Sequence, residues 1–442
     1  MKINHEIFDT RMQSKLRQLI DELPYQQQFQ LRSIRYCGSK IIKDAYGQAP
    51  GVFILKTETG NEAKFWGTTS CKSPWACPVC TARKMAQYAG DIACAIEAIR
   101  TWHNQAAIMV TLNIIHYKGL SCLELTEILY NSWKRFTVQG NKQNAGLKRK
   151  KWKASKWAQF CEYFNCTHRV RVCEYTYNNE HGWNPHFHCL FWVDKDKLQE
   201  VAKWEETLKE FWMYCVQNEW AKYRSAHDPD ETHDFNYYYQ HVKWTYNYGK
   251  IQNKVSQPLY ISKNKNGSIR EQLTSDYIAG WGADRELTGN SHKRATCSDS
   301  RTPFQLLEDY SKNQDITAGK LFIEYALATK LHRHARINFS VHSGIKKIIA
   351  QWKKTQQYIT ETKKKFTRVW KTLIWLSSEQ WRQLSEYDEN YCIKENLLYM
   401  AAVFDPDEAW TQIYNYLKIF NIDIENNEYS FWASFYDNSK YA

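Results

Sequence analysis

Two β-rich runs flank a polar break: Thr167-His168-Arg169-Val170-Arg171-Val172-Cys173-Glu174-Tyr175-Thr176-Tyr177, and Pro185-His186-Phe187-His188-Cys189-Leu190-Phe191-Trp192-Val193. Between them lies Asn178-Asn179-Glu180-His181-Gly182, which is turn chemistry, so the two runs are expected to form an antiparallel hairpin. His186 and His188 are two residues apart, so on a strand both rings leave the same face and Phe187 points the other way, into a core. A hairpin centred near residue 180 pairs positions whose numbers sum to 360, which puts Glu174 across the ladder from His186. Two imidazoles and one carboxylate on one face can share a divalent ion and still leave coordination positions open for water and substrate.

Working outward, residues 106–115 are an apolar, β-branched run that reads as a buried strand. Ser121 opens a helix, with Glu124 three residues later completing a capping box. Leu125, Ile128, Leu129, Ser132, Trp133 and Phe136 share one face of it. Residues 196–214 read as a second amphipathic helix. Strand, helix, strand, strand, helix is an α+β pattern, expected as a ferredoxin-like or RRM-like antiparallel sheet with helices on one face. Residues 1–36 read as helical and polar, 225–270 as loop-rich, 271–281 as a short helix, and 303–442 as mostly helical, including 344–371. The expected segments are 1–36, a cysteine-bearing module at 37–100, a sheet domain at 101–300, and a helical C-terminal domain at 301–442.

The module carries Cys71-Lys72-Ser73-Pro74-Trp75-Ala76-Cys77-Pro78-Val79-Cys80. The Cys77-x-x-Cys80 pair has the spacing that lets two thiolates converge on one metal ion; Cys71 can supply a third ligand and Cys37, in Tyr36-Cys37-Gly38, a fourth. Four thiolates are a preferred tetrahedral Zn²⁺ set, and such a closed site stabilises a fold without catalysing. The remaining cysteines are scattered singly and read as small core residues.

The chain has 442 residues, a net charge of +13 and 15% aromatic residues. Cations meet phosphates and rings stack on bases, so this balance favours a nucleic-acid partner. Lys148-Arg149-Lys150-Lys151 is the densest basic run, expected either as a solvated loop or as a phosphate-contacting one. No stretch approaches the ~18–20 apolar residues of a membrane span, and the N-terminus has no apolar stretch like a signal peptide. A cytoplasmic chain without membrane contact is expected, its cysteines reduced.

Pro185-His186-Phe187-His188 resembles the HUH (His-hydrophobe-His) motif of plasmid rolling-circle replication initiators. Val110-Thr111-Leu112-Asn113 resembles their first motif, and Asp276-Tyr277-Ile278-Ala279-Gly280-Trp281-Gly282 with Glu286-Leu287-Thr288 resembles their tyrosine motif. Pro74-Trp75-Ala76-Cys77-Pro78-Val79-Cys80 and Arg301-Thr302-Pro303-Phe304-Gln305-Leu306-Leu307 also resemble segments of this family. The likeness spans roughly residues 37–345, with the elements in the family's order.

The resemblance implies an HUH endonuclease domain, with Glu174, His186 and His188 holding Mg²⁺ or Mn²⁺ and Tyr277 attacking a DNA phosphodiester. It implies nicking at a DNA origin, a 5′-phosphotyrosine intermediate and later rejoining of the strand. Tyr260, in Tyr260-Ile261-Ser262-Lys263, is the competing tyrosine. Two positions depart from the family: Gly280 stands where relatives often carry Lys, and Leu273 where some carry a Glu for terminating hydrolysis. Asp276, Asp284 and Glu286 remain open as substitutes. The implied partners are single-stranded and duplex origin DNA, with a host helicase and DNA polymerase, since the chain has no Gly-x-x-x-x-Gly-Lys-[Ser/Thr] loop. Two alternatives stand beside this: a single-tyrosine transposase or mobilisation relaxase, and a non-catalytic zinc protein that binds single strands.

Overall fold

A computed structural model describes residues 5–43, 46–57, 62–114, 116, 118–137, 155–227, 250–252, 295, 299–331, 339–341, 343–360 and 370–424. The strands are β1 (Val52–Thr57), β2 (Ala63–Trp66), β3 (Gln105–Leu112), β4 (Arg169–Asn178), β5 (Gly182–Asp194), β6 (Lys250–Gln252), β7 (Ser300–Arg301), β8 (Phe339–Val341) and β9 (Trp370–Leu376). The first six helices are α1 (His5–Asp21), α2 (Tyr25–Arg35), α3 (Pro78–His103), α4 (Cys122–Thr137), α5 (Lys156–Tyr163) and α6 (Val201–His227). The class is α+β, mostly helical, with every strand pairing antiparallel. No helix among the described residues is long and apolar enough to cross a membrane.

The chain folds into two compact units that ignore the four consecutive segments expected from the sequence. The first takes residues 1–84, 306–327 and 363–442; the second takes 85–305 and 328–362.

The second unit is built on the sheet β6-β3-β5-β4-β7, with β8 also paired to β4. Its hairpin forms where expected. Asn178 Oδ1 accepts from the backbone N–H of Glu180 at 2.7 Å and of His181 at 3.1 Å, which closes the turn. Gly182 leaves the turn at φ 78°, a left-handed value that a Cβ would strain. The ladder then runs from Asn178↔Gly182 to Arg169↔Phe191 and pairs Glu174 with His186. All eight residues of β3 are buried, which explains its unbroken apolar run.

Helix α4 starts on the expected capping box: Glu124 N–H donates to Ser121 Oγ, and Ser121 N–H donates to Glu124 Oε2. Its Tyr130 and Trp133 rings meet Phe187 edge-on at 4.9 and 5.6 Å, so Phe187 is gripped on the face opposite the histidines. Helix α6 follows a 3-10 turn, Lys195–Glu200, and runs past the expected end at 214, because Cys215, Val216 and Trp220 continue its buried stripe. Trp212 Nε1–H donates to Asn113 O at 2.7 Å and fastens α6 to the end of β3.

In the first unit, the sheet β2-β1-β9 packs with the helices Ser378–Tyr391, Ile393–Val403 and Pro406–Lys418 around Val52, Ile54, Leu376, Trp381, Leu397 and Ile413. Two expectations are corrected here. The helix expected at 344–371 spans Ser343–Thr360, and Trp370–Leu376 is a strand that pairs with β1. The C-terminal helices are not a domain of their own: Asp388, 2% exposed, binds Arg17 of α1 at 3.4 Å and Lys394 at 3.6 Å. Lys56 of β1 donates to Ala401 O at 2.8 Å, capping the C-terminal end of Ile393–Val403.

Removing one partner of a buried ion cluster leaves the other charges without compensation. Asp388→Ala is therefore expected to lower the stability of the full chain by about 3–5 kcal/mol. Urea unfolding of the wild-type and variant proteins measures it, and a difference within error would show that the cluster is not what ties α1 to the C-terminal helices.

Candidate metal centres

Glu174, His186 and His188 lie on adjacent central strands, β4 and β5, with one ligand atom from each within 4.8 Å of the others. Glu174 Oε2 is 2.9 Å from His188 Nε2 and 3.8 Å from His186 Nε2. Their side chains are at most 12% exposed. A carboxylate and two imidazoles this buried and this close form a set that could hold a divalent metal ion. Three protein donors leave coordination positions for water and a substrate oxygen.

The other ring nitrogens fix the ligand state. His186 Nδ1–H donates to Asn184 O at 3.1 Å; a carbonyl can only accept, so in the neutral ring Nε2 bears the lone pair, the state a metal ligand needs. His188 Nδ1 lies 3.1 Å from Thr111 Oγ1, on the neighbouring β3, where Thr111 pairs directly with His188. A hydroxyl both donates and accepts. Thr111 can thus satisfy His188 when its Nε2–H donates to Glu174 and also when Nε2 turns its lone pair to an ion. This role of Thr111 was not read from the sequence, because it depends on the β3–β5 register, which no local signal sets. His116 was also missed: its Nδ1–H donates to His181 O at 3.3 Å, and burial pushes its pKa down to about 4, helped by the neighbouring His181 and His186.

Cys37, Cys71, Cys77 and Cys80 converge in the first unit, all four sulfurs within 4.8 Å of one another. Cys80 Sγ lies 3.6 Å from Cys37 Sγ and 3.5 Å from Cys71 Sγ. A tetrahedron with Zn–S arms of about 2.3 Å has edges of about 3.8 Å, so these separations fit a Cys₄ zinc site and are far too long for disulfides. Cys80 sits in the first turn of α3, and hydrogen bonding from Cys37 first, then Cys71, holds its pKa well below the thiol range. Cys77 Sγ donates to Gln13 Oε1 at 3.3 Å, and Gln13 Nε2 donates to Ile34 O at 2.7 Å. The N-terminal helices, which read only as polar and helical from the sequence, therefore contact this site through Gln13. The scattered thiols Cys173 and Cys189 are buried, which pushes both up to about 12 and leaves them inert.

Tyr277, Tyr260 and the Lys148, Arg149, Lys150 and Lys151 run lie outside the described residues. Compared with known proteins, the chain matches no family model, no curated protein and no solved structure.

Two outcomes follow from these geometries. Thr111→Val removes the hydroxyl beside His188 Nδ1 at nearly constant volume, and Mn²⁺ affinity by titration calorimetry is expected to fall about 10–100-fold. Unchanged affinity would dismiss Thr111 as an orienting group. Elemental analysis is expected to find about one zinc per chain, and Cys77→Ser to lose it and more than about 3 kcal/mol of stability. A zinc-free wild-type protein of unchanged melting temperature would remove the zinc assignment.

Proposed function

We propose that this protein is a site-specific single-stranded DNA endonuclease and strand transferase of the HUH type, acting as a rolling-circle replication initiator. The observation that carries the reading is the carboxylate–imidazole–imidazole set formed by Glu174, His186 and His188 across two central strands of an antiparallel sheet. Support also comes from the sheet itself. The elements β3, α4, β4, β5, α6 and β6 follow a β-α-β-β-α-β order, with α5 added, and the strands lie in the spatial order β6-β3-β5-β4. This order supports the reading, because the reading expects a ferredoxin-like, RRM-like sheet.

In this reading Glu174, His186 and His188 hold the ion, while Asn184 O and Thr111 fix the imidazole tautomers. When bound, the ion withdraws electrons from a scissile phosphate oxygen. The Tyr277 phenol oxygen attacks the phosphorus in line; the P–O3′ bond breaks, and its electron pair and a proton leave on the 3′ hydroxyl. The new 5′-phosphotyrosine ester conserves the bond energy, so attack by a 3′ hydroxyl in the reverse sense rejoins a strand. The Cys₄ centre, with no open position, serves the fold. A helicase and a polymerase are left to the host.

The test is denaturing electrophoresis of the protein with a 3′-labelled random-sequence single-stranded DNA pool and Mn²⁺. A labelled protein band is expected, abolished by chelation. Tyr277→Phe keeps the ring but deletes the nucleophile, so adduct and nicking are expected to fall by at least about 10³-fold while Mn²⁺ binding persists. An adduct that maps to Tyr260 moves the nucleophile; no adduct on any tyrosine ends the covalent reading.

A further inference from the structure

Helix α2 buries Leu31 and Ile34 on one side. On the other it sets out Tyr25, Phe29 and Arg32, and Tyr36 continues the line past the helix end. At 3.6 residues per turn these four positions fall within about 60° of one another. Tyr25 is 80% exposed and Phe29 62%, with ring centroids 6.5 Å apart. Two large rings presented together to water, opposite a helix's buried face, mark a contact surface and not a core.

Cations accompany the rings. The Lys40 ammonium lies 5.3 Å from the Tyr36 ring centroid; the Arg35 guanidinium lies 4.9 Å from it and is paired with Asp21. Beyond Tyr36 the surface enters a groove of about 650 Å³, lined by Ser39, Lys40, Lys43, Trp381 and Ser385 among others, a size that accepts an organic ligand. Two further cations at the groove are already compensated: Arg17 by Asp388 at 3.4 Å and Arg382 by Glu386 at 2.7 Å. Arg32, Lys40 and Lys43 have no carboxylate partner among the described residues. Ser385 Oγ is buried and has no hydrogen-bond partner among them.

We propose that this surface of the zinc-bearing unit is a second binding site for single-stranded DNA, distinct from the Glu174–His186–His188 centre. Bases stack on Tyr25 and Phe29, and phosphates meet Arg32, Lys40 and Lys43. Rings interleaved with uncompensated cations match a ligand that has both open π-faces and a regular negative charge. A duplex hides its base faces, so the single strand is favoured. The site stands or falls independently of the nuclease reading, because it uses none of the metal ligands and no tyrosine chemistry.

The experiment uses the full zinc-loaded chain carrying Tyr277→Phe, so that cleavage does not interfere. Oligothymidylate substituted with 5-iododeoxyuridine is photo-cross-linked to it and the peptides are mapped. Cross-links are expected at Tyr25, Phe29 or Tyr36. In parallel, fluorescence anisotropy with labelled oligothymidylate measures two double variants. Tyr25→Ala with Phe29→Ala is expected to weaken binding about tenfold or more through lost stacking, and to change duplex binding less. Lys40→Ala with Lys43→Ala is expected to flatten the dependence of log affinity on log salt by about 1.4. All four positions are at the surface, so zinc content and melting temperature check that the variants are folded. No cross-link between residues 25 and 43, with affinity unchanged in both variants, would overturn the proposal and leave the surface to a protein partner.

Discussion

Everything at the candidate catalytic centre depends on the register of one hairpin. Asn178 and Gly182 close the turn so that Glu174 stands opposite His186, and β5 in turn brings His188 beside Thr111 of β3. Side chains alternate along a strand, so a slip of one residue would turn Glu174 to the face that holds Phe187 and separate the carboxylate from both imidazoles. The opposite face resists such a slip. Phe187 is held by Tyr130 and Trp133, and the buried Arg171 guanidinium lies 4.5 Å from the Phe187 ring centroid and 4.8 Å from each of the other two. A cation compensated by π-faces fits only one arrangement of those rings.

The two candidate metal centres divide the work that a metal can do. Four thiolates in the first unit would satisfy a tetrahedral ion completely, so the gain on binding one would go into tying residues 37 and 71 to the start of α3. The Glu174–His186–His188 set in the second unit offers three donors at a nearly dry site, which would leave a bound ion positions for an oxygen ligand from outside.

What was legible in the sequence was local. Turn residues, period-two alternation and the capping box placed the hairpin, the Glu174–His186 pairing and α4, because each is decided within a few residues. Cys77 and Cys80 were legible for the same reason. What depended on long-range association was not. Trp370–Leu376 became a strand because β1 offers it an edge, in a region whose neighbours are helical. The union of α1 with the C-terminal helices rests on Arg17 and Asp388, 371 positions apart. Thr111 acquires its role only once β3 and β5 are in register, and α6 runs to His227 because its later apolar residues find a core to enter.

The most direct test of the central claim is pulsed electron paramagnetic resonance of the protein loaded with one equivalent of Mn²⁺. The account predicts one bound Mn²⁺ per chain, with nitrogen couplings from two imidazoles, one of them lost in His186→Ala and one in His188→Ala. Mn²⁺ bound without nitrogen coupling, or couplings that survive both substitutions, would contradict it.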